Sequence, residues 1–230
     1  MKTIVVTGAA RGIGKAITEA LLKQEHTVIG VFRTKESATQ LRQAVSNSSG
    51  KLISVFGDLR KPAELLAIAK QISEQTSALD ALINNAGIIG SSTSIAATTI
   101  EEMQEVHQVN VMAPFQLTNL LLPLLRKSTD ARIIHLSSGM GALSDLNGSY
   151  GAYRMPKASL NMLTMMQAGA LQHEQISVYS ACPGWVKTDM GGASAPRTPE
   201  QGADTPVWLA TTDKPQPTGK FYRDRKIISY

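Results

Sequence analysis

Tyr153 and Lys157 stand four residues apart inside an amphipathic stretch at 152–172, so on a helix they share one face and reach the same small volume. A free tyrosine, with a pKa of about 10, is a poor proton donor near neutrality. A neighbouring ammonium stabilises the tyrosinate and draws that pKa toward the working range. The pair therefore suits proton transfer to an oxygen on which negative charge develops, as when a hydride adds to a carbonyl. Tyr150 lies three residues earlier, but only Tyr153 has a lysine at the fourth place after it.

A hydride needs a carrier, and the other end of the chain holds a candidate cradle for one. The run Thr7-Gly8-Ala9-Ala10-Arg11-Gly12-Ile13-Gly14 follows an apolar β-branched segment and opens an amphipathic one. Gly8 permits the tight turn, Gly12 lets backbone approach a pyrophosphate without a Cβ clash, and Gly14 lets helix and strand pack closely. The helix N-terminus adds free N–H groups and a favourable dipole for phosphate. Coenzymes without a 2′-phosphate are usually held by an acid about 20 residues downstream of the glycines. Here the second apolar run ends Val31-Phe32-Arg33-Thr34-Lys35, with no acid and with a guanidinium that can pair with a 2′-phosphate. NADP(H) is the expected coenzyme, with Arg33 on its 2′-phosphate and Arg11 reaching the same group from the other side.

The elements that must position these residues alternate. Strands are expected at 3–6, 27–32, 52–56, 81–84, 132–136 and 176–180, and helices at 13–24, 35–46, 62–75, 100–127 and 152–172. Strands apolar at nearly every position are covered on both faces, so the fold class is α/β: one Rossmann-type, doubly wound, mostly parallel sheet with helices on both sides. One domain is expected over 1–230, with a mobile loop at 189–206, where Gly, Ala, Pro, Ser and Thr concentrate. The helix near 100 has a capping pattern, Thr99-x-x-Glu102, and meets Pro114 four residues after Asn110. Proline has no N–H for the carbonyl at i−4, so this helix is expected to kink there and leave the Asn110 carbonyl free to hold water.

Five motifs in order, namely Thr7 to Gly14, Asn84-Asn85-Ala86-Gly87, Asn110, Ser138 and Tyr153-x-x-x-Lys157, resemble the short-chain dehydrogenase/reductase family over essentially the whole chain. The resemblance implies that Asp58 and Leu59 hold the adenine. It puts the Asn85, Ala86 and Gly87 backbone along the adenosine and pyrophosphate, and Val186 and Thr188 at the nicotinamide carboxamide. It implies that Tyr153 is the general acid or base, that Lys157 tunes it and bonds the nicotinamide ribose, and that Asn110 anchors a water that passes protons to Lys157. Ser138, favoured over Ser137, is implied to bond and polarise the carbonyl oxygen. The C-terminal run Pro217 to Lys226 resembles the carbonyl-reductase branch, which implies ketone or aldehyde reduction. Alcohol oxidation, a 3-oxoacyl or steroid ketone substrate, and a regulatory NADP(H)-binding protein without turnover stay open as alternatives. Pro156 stands inside the Tyr-to-Lys segment, where the family usually has a small residue, and a local distortion with retained activity is expected.

Composition excludes other classes. With 230 residues, 43% hydrophobic and 18% charged, the chain has material for one sizeable core. No apolar run approaches the roughly 20 residues that cross a bilayer, no leader pattern opens the chain, and the cytoplasm is the expected location. The net charge of +5 is scattered, which argues against nucleic-acid binding. One cysteine, Cys182, sits in an apolar run and reads as a buried, inert thiol; the four histidines lack metal-ligand spacing, so no metal is expected. Met155, Met162, Met165 and Met166 cluster on the helix at 152–172 and read as core or subunit packing. The segment between Ser138 and Tyr153 lacks the long insertion of some monomeric carbonyl reductases, so the resemblance leaves the helices near 101–127 and 152–172 free to pair and implies a homodimer or homotetramer. Met140, Leu143 and Trp185 border the catalytic motifs and are candidates to line an apolar substrate pocket.

Overall fold

A computed structural model describes residues 1–91, 94–145 and 147–230. Among them, strands β1 (Thr3–Thr7), β2 (Thr27–Phe32), β3 (Lys51–Phe56), β4 (Ala81–Asn84), β5 (Ala131–Leu136), β6 (Ile176–Ala181), β7 (Lys220–Arg223) and β8 (Lys226–Ile228) form one sheet in the order β3-β2-β1-β4-β5-β6-β7-β8. The first seven run parallel and β8 closes the edge antiparallel. The chain builds outward from β1 to β3, then crosses back to β4 on the other side of β1. The turns after β1 and β4 thus straddle a switch point, where such sheets open a crevice at the strands' carboxyl ends.

Alternation along each strand feeds two cores. Ile4 and Val6 face helices α1 (Gly12–Lys23), α2 (Lys35–Ala44) and α7 (Pro199–Thr211), packing with Ile17, Leu21, Leu41 and Val207. Val5 faces the opposite way, against α3 (Pro62–Gln75), α5 (Ala113–Leu125) and α6 (Gly151–Leu171), packing with Leu65, Ile68, Leu117 and Leu171. This is the period of two expected of a strand covered on both faces. None of the described helices is long and apolar enough to cross a membrane.

Four local features differ from the expectations. The single helix expected at 100–127 is α4 (Ile100–His107), a π-helical turn at Gln108–Met112, and α5. Pro114 falls in the first turn of α5, and the chain absorbs it by widening: the Ala113 N–H reaches back to the Gln108 carbonyl. Thr99 caps α4 by accepting from the Glu102 N–H at 3.2 Å, but the Glu102 carboxylate bonds Ser91 rather than completing a capping box. The loop expected at 189–206 ends at Thr198, which caps α7 in a reciprocal box with Gln201, so 199–206 are helical. The hairpin β7–β8 was not expected; Asp224 and Arg225 turn it with φ of +51° and +60°, the left-handed pair such tight turns require.

Candidate active site

The crevice at the switch point is a cleft of about 600 Å³, within the range of small-molecule sites. Every residue expected to hold a coenzyme lines it except Val186. At its head, Gly8 and Gly12 have φ of +65° and +53°, a conformation that L side chains rarely adopt. A Cβ on Gly14 would sit 2.1 Å from the Gly8 carbonyl oxygen, and one on Gly12 would sit 3.0 Å from the Thr188 methyl. The turn is held by the segment that follows β4: the Asn85 side-chain amide donates to the Thr7 and Gly8 carbonyls at 2.9 and 3.3 Å, and the Ala86 N–H donates to the Thr7 hydroxyl at 3.0 Å. Asn85 therefore serves as scaffold for the glycine turn. No side chain caps the start of α1, so its first N–H groups remain available to an anion in the cleft.

At the β2–β3 end stand Arg33, Thr34, Ser37, Asp58 and Arg60. Thr34 caps α2 by accepting from the Ser37 N–H at 3.2 Å, which sets both hydroxyls beside Arg33. The Arg60 fork holds the Asp58 carboxyl below the usual carboxylate range. Arg11 lines the same cleft as Arg33, and its exposed guanidinium pairs with Asp189 in the loop after β6. Val186 is buried, with its methyls against Gly202 of α7, and is not among the residues that line the cleft, whereas Thr188 is.

Tyr153 and Lys157 occupy the other end, both on the inner face of α6 and both buried, at 8% and 4% exposure. Burial pushes the Tyr153 phenol up to about 12, and a side-chain hydrogen bond with Ser138 pulls it back in part. Burial pushes Lys157 down to about 8. The expected lowering of Tyr153 by Lys157 is not among the causes of its shift. Lys157 Nζ lies 5.5 Å from the Tyr153 ring centre and donates to the Leu136 carbonyl at 2.6 Å. Near neutral pH the pair is thus a protonated phenol beside an ammonium.

The two serines at the end of β5 divide in role. Ser138 bonds Tyr153 and accepts from the Met140 N–H at 3.1 Å, whereas Ser137 is buried and faces the Lys157 carbonyl. Asn110, on the π turn, clamps Ile88 at both ends: its Oδ1 accepts from the Ile88 N–H and its Nδ2 donates to the Ile88 carbonyl, each at 2.9 Å. A Cβ on Gly87 would lie 3.2 Å from Asn110 Oδ1 and 3.7 Å from Lys157 Nζ, so the three residues converge. α6 runs unbroken through Pro156, whose missing N–H leaves only the Ala152 carbonyl without its helical partner.

Thr34, Ser37, Arg60 and Asp189 are cleft residues that the sequence reading missed. Thr34 was legible as a helix cap just before the stretch at 35–46. Nothing in the sequence signalled that Arg60 folds back on Asp58.

A dinucleotide fits this donor set: a side-chain-free cradle at the glycine turn, a basic end with two hydroxyls, and an acid with a lysine at the far end. The comparisons agree with that fit. Residues 2–198 match the family described as short chain dehydrogenase. The short-chain dehydrogenase anuI of Penicillium roqueforti is 32% identical over 98% of this chain and 95% of that protein. The NADPH-bound carbonyl reductase from chicken fatty liver superposes with a TM-score of 0.89 at 30% identity, covering 100% of this chain and 99% of that one. Carbonyl reductase Sniffer of D. melanogaster gives 0.89 at 31% identity, covering 98% and 97%.

Proposed function

The chain belongs to the short-chain dehydrogenase family, and from that premise we propose that it reduces a ketone or aldehyde to an alcohol with NADPH. The observation that carries the proposal is the shape of one cleft: Tyr153, bonded to Ser138 and beside Lys157, stands at one end, and the glycine turn with Arg33 at the other. When bound there, the coenzyme supplies the hydride. Arg33, Thr34 and Ser37 hold its 2′-phosphate, the uncapped start of α1 takes the pyrophosphate, and Asp58 and Leu59 take the adenine. Ser138 bonds the substrate oxygen, Tyr153 gives it a proton, and Lys157 stabilises the phenolate left behind. Asn110 keeps the Ile88 loop in place and, through the π turn, supports a water that restores the proton by way of Lys157.

Of the expected pocket residues Met140, Leu143 and Trp185, none lines the cleft; Leu143 and Trp185 are 72% and 57% exposed on the loops after β5 and β6, and the Trp185 indole N–H is fixed to the Gly191 carbonyl at 2.7 Å. Apolar groups exposed on these two loops favour an apolar carbonyl compound as substrate. Met155, Met162, Met165 and Met166 are not core residues: all four are exposed on α6, with Met112 and Phe115 exposed before and within α5. An apolar surface of this kind supports pairing of two copies through these helices.

Purified protein mixed with a panel of aldehydes, ketones, diketones and 3-oxoacyl thioesters, with NADPH and NADH in parallel, tests the reading. Turnover of the simple carbonyls with NADPH preferred supports it. Turnover confined to the thioesters favours a 3-oxoacyl reductase, binding without turnover favours a regulatory protein, and preference for NADH removes the role of Arg33.

A further inference from the structure

The charges at the adenosine end of the cleft are not one acid and one arginine. Asp58 is held by Arg60 along both carboxylate oxygens: the Arg60 backbone N–H and Nε reach Oδ1 at 3.0 and 3.1 Å, and Nε and Nη2 reach Oδ2 at 2.9 and 2.5 Å. On its far side Arg60 Nη1 lies 3.8 Å from Glu105 of α4, so the guanidinium bridges the loop after β3 to a helix. Arg33 also acts on Asp58, from the end of β2. Both arginines and the acid line the same cleft, and the Asp58 side chain is only 14% exposed.

That arrangement has two electrostatic effects. A carboxylate offers about four acceptor directions; the Arg60 backbone N–H, the Nε–H shared between both oxygens and Nη2 take up three of them and fix where the last one points. An unpaired Asp58, moreover, would attract Arg33 and repel a phosphate placed beside it. With Arg60 folded onto Asp58, the carboxylate that Arg33 faces is offset by a second guanidinium.

Resting on the coenzyme reading above, we propose that Arg60 is a positioning residue for coenzyme recognition. Its fork aims Asp58 at the exocyclic amino group of the adenine, and its charge neutralises Asp58 so that Arg33 is left for the 2′-phosphate. Arg60 acts through Asp58 in the first effect and through Arg33 in the second. The two separate by chemistry, because lysine keeps the charge but lacks the fork.

The test is equilibrium binding to the full chain, followed by nucleotide fluorescence, of NADPH, NADH and the NADPH analogue carrying hypoxanthine, with a 6-oxo group, in place of adenine. The native protein is expected to favour NADPH over the 6-oxo analogue by about tenfold, the size of one hydrogen bond to a charged group. In Arg60→Gln both the adenine preference and the NADPH-over-NADH preference fall toward unity. In Arg60→Lys the adenine preference falls while the phosphate preference is retained. Arg60 is half exposed, so these variants fold, and their melting temperatures check it. Arg60→Gln with both ratios as in the native protein overturns the inference while the coenzyme reading stands. A native protein that binds none of the three nucleotides overturns both.

Discussion

Burial moves the two titrating groups of the site in opposite directions, Tyr153 up to about 12 and Lys157 down to about 8. The phenol therefore stays protonated across the working range, and Lys157 is the group that titrates. Carbonyl reduction is expected to be flat below about pH 7.5 and to fall as pH rises through 8, when the ammonium that stabilises the phenolate is lost; Lys157→Met removes that step and lowers the rate throughout. Stability moves the other way. A lysine whose folded value lies below its ordinary 10.5 binds its proton less tightly when folded, so the folded state gains as pH rises from about 8 to 10.5. A rate that falls while urea midpoints rise in this window, with both slopes reduced in Lys157→Met, ties them to one group. Ser138→Ala removes the proposed donor on the substrate oxygen, and kcat/KM is expected to fall about 10²-fold with coenzyme affinity unchanged.

The elements of the site are held by contacts that cross between strands. The glycine turn after β1 rests on the Asn85 amide from the segment after β4, and Gly14 packs where a Cβ would stand 2.1 Å from the Gly8 carbonyl. Because that neighbour is backbone, Gly14→Ala must displace the turn itself. Loss of NADPH binding in titration, with a melting temperature lowered by several degrees, is the expected result. Much of this level was legible in the sequence: the six expected strands match β1 to β6 within a residue at each end, and the glycine turn, Ser138, Tyr153 and Lys157 fall in or beside one cleft. What was not legible depended on distant partners. Arg11 is captured by Asp189, far along the chain, and Arg60 turns back on Asp58. The hairpin of β7 and β8 rests on Asp224 and Arg225 in left-handed conformations, without the glycine or asparagine that would have announced it.

Across the whole molecule, a buried polar chain joins the neighbouring strands β4 and β5 to helices α5 and α6. The Asn84 amide meets His135 Nδ1 at 3.2 Å and Thr118 at 3.4 Å, and His135 Nε2 meets the Gln167 side-chain oxygen at 2.8 Å. His135 is fully buried, and desolvation lowers it from 6.5 to about 4, so it is neutral and donates from Nε2. As pH falls from 6.5 to 4 the unfolded chain takes up this proton and the folded chain does not, costing about 3 kcal/mol of stability. Urea midpoints at pH 7 and 4.5 are expected to show that loss, and His135→Gln to lack this share of it. The proposed pairing of two copies through the exposed methionines of α6 makes a prediction at the same scale. The native protein is expected to run as an oligomer in light scattering, and Met162→Glu with Met166→Glu as a monomer, while the fold, judged by circular dichroism, is kept.

The central claim is that Tyr153 supplies the proton in an NADPH-dependent reduction, and the most direct measurement compares the native protein with Tyr153→Phe. The phenylalanine keeps the ring in its buried position on α6 and removes only the hydroxyl that meets Ser138. With NADPH and the best carbonyl substrate of the panel, kcat is expected to fall by about 10²–10⁴-fold, the usual worth of a positioned acid, while NADPH binds as before. A variant that turns over at the native rate would contradict the account, because the proton would then come from elsewhere.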